Sequence, residues 1–76
     1  MEAREIFELI VKADDALKYA TEEKLAARSR QAHDLLVRAR DEARLIGNQA
    51  LVDQAERRLA DLQSLGSEEP QREPGA

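Results

Sequence analysis

Seventy-six residues, 42% hydrophobic and 37% charged, allow one small domain with a modest core. The chain has no cysteine, which excludes disulfides, thiolate metal ligands and thiol catalysis. Its net charge of −4 disfavours non-specific binding to nucleic acid.

Ala, Leu, Glu, Arg and Gln dominate and the strand formers are scarce, so the composition predicts an all-α fold. The first helix is expected over about residues 2–20. Ile6, Ile10, Ala13, Leu17 and Ala20 form one stripe at spacings of three and four. Ala3, Phe7, Leu9 and Val11 widen it past half the circumference, with Glu5, Glu8, Lys12 and Asp15 opposite. The opening Met1-Glu2-Ala3-Arg4-Glu5 lacks the basic start and apolar core of a signal peptide. No apolar run approaches the ~20 residues of a membrane span. Cytoplasmic location is the expectation.

Thr21 is the predicted N-cap of a second helix, with Glu22 and Glu23 placed to favour the positive end of its dipole. That helix is expected over about residues 22–46, with a stripe of Leu25, Ala32, Leu35, Leu36, Ala39, Ala43 and Ile46. Gly47 suits a left-handed helix end, and Asn48 suits the cap of the next helix. The third helix is expected over about residues 49–65, carrying Leu51, Val52, Ala55, Leu59, Leu62 and Leu65 on one face. Gly66 closes it. The remaining SEEPQREPGA, residues 67–76, has no large apolar side chain and is expected to be a disordered acidic tail. Its three Glu and one Arg account for half of the net charge, leaving a nearly neutral domain over 1–66. Three amphipathic helices joined by short connections predict an antiparallel three-helix bundle.

Ala20, Ala32 and Ala39 stand twelve and then seven residues apart, and Leu36 lies between the last two. With these positions the stretch QAHDLLVRARDEARLIGNQALVDQAERRLADL resembles a tetratricopeptide-repeat helical hairpin of the longer-helix kind. In that family small residues mark the closest approach of two antiparallel helices. Leu59-Ala60 is similar to the Leu-Gly pair that opens a following repeat. The likeness spans residues 13–62 and departs from the family at Ala16 and Tyr19, and at Gly47, which replaces the usual proline. It implies a scaffold that binds other proteins, without catalysis.

Candidate chemistry is sparse. His33 is the single histidine, and Arg30, Arg40 and Arg44 share its side of the helix, which disfavours a metal there. Asp14-Asp15 and Glu22-Glu23 are neighbours in sequence and diverge on a helix, so they form no shared-proton pair. Asp14 and Lys18 suit an ion pair at a spacing of four. No phosphate loop, catalytic triad or metal-ligand cluster is present, so neither an enzyme nor a cofactor is expected.

Two surfaces remain. Arg30, His33, Val37, Arg40 and Arg44 form a stripe that suits an acidic peptide or phosphate groups, or else a solvated face whose arginines pair with Asp34, Asp41 and Glu42. Surplus apolar side chains on the first helix, Phe7, Leu9 and Val11 with Tyr19 farther round, suit a partner helix or self-association. Val37, Leu45 and Ala26 add to this excess from the second helix. A non-enzymatic protein-interaction module is therefore the expected function. The alternative is a small regulator that binds nucleic acid or an anionic ligand through the arginine stripe.

Overall fold

The computed structural model describes residues 1–64 in backbone and side chain. Three helices, α1 (Ala3–Lys18), α2 (Leu25–Leu45) and α3 (Gln49–Gly75), make an all-α three-helix bundle. Gly66, the expected helix end, and the expected tail up to Gly75 fall within the bounds of α3, while the side chains of residues 65–75 and the whole of residue 76 lie outside the described residues.

α2 is central. α1 and α3 each pack along it and touch one another only lightly. The Met1 ammonium lies 3.6 Å from the Glu42 carboxylate, which sets the start of α1 beside the end of α2. Neighbours in sequence therefore run antiparallel, while α1 and α3 run the same way. Among the described residues no helix is long and apolar enough to cross a membrane.

The core follows the predicted stripes. Ile6, Leu9, Ile10 and Ala13 come from α1; Ala32, Leu36, Ala39 and Ala43 from α2; and Leu51, Val52 and Ala55 from α3. Leu17, Leu35, Leu59 and Leu62 pack on its margin. Three of the four core side chains of α2 are methyl groups, which leaves room for both neighbours to come close to its backbone. Among the described residues no polar or charged side chain is buried. The hydrophobic effect, rather than any internal polar network, holds the three helices together.

Two details differ from the sequence expectation. α2 begins at Leu25, not residue 22. The Thr21 hydroxyl does accept a backbone amide, that of Lys24 at 3.3 Å, but it caps a turn closed by Lys24 N–H to Thr21 O and Leu25 N–H to Glu22 O. Those i→i+3 bonds tighten the chain before the helix proper begins with Arg28 N–H on Lys24 O. Leu25 and Ile46, expected on the buried stripe, are 47% and 44% exposed. Each stands at an extreme end of α2, past the turns that its neighbours cover.

The connection from α2 to α3 is as predicted. Gly47 takes φ +70°, its N–H bonds to Arg44 O, and the Asn48 N–H reaches back to Ala43 O. These are the paired bonds of a Schellman ending. The Asn48 side chain then accepts the Leu51 amide at 3.1 Å and caps α3. An added Cβ at Gly47 would meet nothing within 4 Å, so only the left-handed backbone resists substitution. Gly47→Ala should cost about 1 kcal/mol and Gly47→Asn less, since Asn tolerates that region. Urea unfolding should show the lowered midpoint at unchanged slope, and a Gly47→Ala protein as stable as the parent would rule out this turn.

Candidate interaction surface

The buried residues of α1 leave a second ridge on its outer side. Phe7 and Val11 each follow a core residue by one position, which turns them about 100° away from the core, and their spacing of four stacks them together. Phe7 is 47% exposed and Val11 40%. Ala3, Arg4 and Lys18, all exposed, extend the same ridge toward its two ends. Leu9, expected with them, is instead buried: it falls on the α2 side of the stripe and belongs to the core. The predicted surplus of apolar surface is thus real at Phe7 and Val11 and absent at Leu9.

Tyr19 is exposed but stands apart. It is the C-terminal cap of α1, with its amide on Asp15 O, and the Lys18 ammonium lies 5.5 Å from its ring centroid. There it borders an open groove between α1 and α2 together with Lys12, Asp15, Arg28 and Gln31. That groove carries charges of both signs, two cations and one carboxylate.

The arginine stripe of α2 lies on another side of the molecule. Arg44 donates to Glu56 of α3 at 2.8 Å, and Arg40 donates through Nε to Asp41 at 3.1 Å. Glu42, an expected arginine partner, takes the N-terminus instead. His33 and Val37 sit beside them, His33 exposed and Val37 half-buried, and the His33 Nδ1 approaches Asp34 at 3.6 Å. Arg30 is exposed at the far end. The stripe exists as spaced, but two of its three arginines already hold carboxylates. Among the described residues no three His, Asp or Glu side chains converge as metal ligands.

Asp14 does not pair with Lys18 as its spacing suggests. Its two carboxylate oxygens each accept from Arg58 Nε of α3 at 3.1 Å, and Arg58 also donates to Gln54 O. The sequence signal was present at both ends, since each residue is a charge at the margin of an apolar stripe. The expected antiparallel bundle makes α1 and α3 parallel but leaves open which of their residues stand at the same level, and so the pairing was missed. Comparison with models of protein families, with curated proteins and with solved structures found no match.

Proposed function

We propose that the chain is a non-enzymatic protein-interaction module whose docking face is the outer ridge of α1, centred on Phe7 and Val11. One observation carries the proposal. Among the described residues five of the eleven core side chains are alanines, so the core is short of apolar volume, yet the single Phe of the chain stands outside it. Fully burying such a ring contributes about 1.5–3 kcal/mol, and at 47% exposure Phe7 forgoes part of that stabilisation unless a partner covers it. The resemblance to tetratricopeptide-repeat hairpins points toward the same class of role. The pairing of Arg40 and Arg44 with carboxylates makes the anion-binding alternative the weaker one. A cytoplasmic setting belongs to the same proposal, because a cysteine-free chain needs no oxidising compartment.

A photo-crosslinking amino acid at position 7 tests the face directly in cells that express the protein. The exposed Arg57, on the polar outer side of α3, serves as the control position. A discrete adduct from position 7 and none from position 57 is the expected result. Equal labelling from both, or none from position 7, would remove the proposal.

A further inference from the structure

We propose that the occupant of this face is the same ridge of a second copy, docked antiparallel across a two-fold axis. The inference rests on reading the α1 ridge as a docking face and goes on to name what docks. Along the ridge, Arg4, Phe7, Val11, Asp14 and Lys18 recur at alternating spacings of three and four. That is a helix-pairing seam, separate from the buried seam of Ile6, Leu9, Ile10 and Ala13.

Charge decides the register. When Phe7 lies against the second copy's Val11, the helix repeat brings Arg4 to the second copy's Asp14-Asp15 pair, and the two-fold repeats the match at the other end. Asp14 is engaged with Arg58, which leaves Asp15 to receive the guanidinium. Arg4 and Asp15 are both exposed, and within one copy neither has an ion-pair partner among the described residues. The apolar pair and the unmatched charges thus complete each other only between two copies. Centring the axis on Val11 instead would set Arg4 against Lys18 and Phe7 against Asp15. A parallel pairing would set Arg4 against Arg4 and Asp15 against Asp15. Both are repelled, whereas the Phe7-on-Val11 register joins the apolar pair and the opposite charges together. The contact is small beside the ~800 Å² per partner of a stable interface, so the dimer is weak and concentration-dependent.

Sedimentation equilibrium from micromolar to millimolar protein provides the test, using the parent, Arg4→Asp, and the double exchange Arg4→Asp with Asp15→Arg. Both substitutions suit the helix dipole, acid in the first turn and base in the last, so α1 keeps its stability, and far-UV circular dichroism checks it. The parent should dimerise. Arg4→Asp should weaken the dimer by at least about tenfold, since like charges then meet at both ends. The double exchange should restore it to within about threefold of the parent, because each pair is rebuilt with its signs reversed. A parent that stays monomeric to millimolar concentration overturns the proposal, as does a double exchange no tighter than Arg4→Asp alone. If the crosslinker at position 7 then captures a different protein, the docking face survives and only self-docking fails. If it captures nothing, both fail.

Discussion

Leu36→Ala is expected to leave most of the protein unfolded in dilute urea, where the parent is still folded. Leu36 is among the largest fully enclosed side chains, 1% exposed on the central helix. Its core neighbours along α2 are Ala32, Ala39 and Ala43, whose methyl groups have no length with which to swing into a vacated space. A cavity that cannot collapse is the expensive kind, and Leu-to-Ala replacements of this sort cost about 2–5 kcal/mol. A single core of this size supplies only about 3–5 kcal/mol in total, so the loss is comparable to the whole stability. Circular dichroism during urea titration should show the folded baseline shortened or gone. Leu36→Met, which conserves volume, should cost less than about 1.5 kcal/mol and keep the transition. A Leu36→Ala protein with the parental midpoint would mean that this cluster does not hold the three helices together.

Apart from Leu9, the residues that form the core were legible from period alone, because three stripes at helical spacing have few ways to meet. Gly47-Asn48 was legible for a different reason. A left-handed turn needs Gly, and a helix start needs a short polar acceptor, so local chemistry settles that junction without help from the fold. The start of α2 was not legible. Thr21 offers the same hydroxyl to a tight turn as to a helix, and the choice depends on how far α1 runs before the chain must reverse. Leu25 and Ile46 were misjudged because a stripe has no mark for where its neighbours stop.

The exposed apolar ridge of α1 was half legible. Phe7 and Val11 could be named from the width of the apolar arc, while Leu9 could not be separated from them, since the sequence does not say which flank α2 covers. The arginine stripe was visible as a spacing, but its partners depend on the packing of α3. Glu56 lies twelve residues from Arg44, and Arg58 forty-four from Asp14. Long-range pairs of this kind follow from helix order in space. That order arises from the small face of α2, which lets both other helices lie against it rather than mainly against each other.

Ala39→Leu tests that cause. Ala39 is fully buried on α2, and replacing its methyl with an isobutyl group adds volume at an enclosed site between helices. Overpacking in a filled site costs about 1–3 kcal/mol, here by forcing helices apart or driving side chains from their rotamers. The urea midpoint should fall accordingly, although Leu is nearly as good a helix former as Ala and a propensity argument predicts almost no change. Counting in antiparallel register from the Met1–Glu42 contact brings Ile6, also fully buried, close to the level of Ala39. Adding Ile6→Val should therefore recover part of the loss, about 0.5–1 kcal/mol in a double-mutant cycle, because the second change removes volume beside the first. Additive effects would place the two residues in separate parts of the core. An unchanged or raised midpoint for Ala39→Leu would mean that the helices stand farther apart than a buried methyl allows, and the alanine face would lose its role as the reason α2 takes the centre.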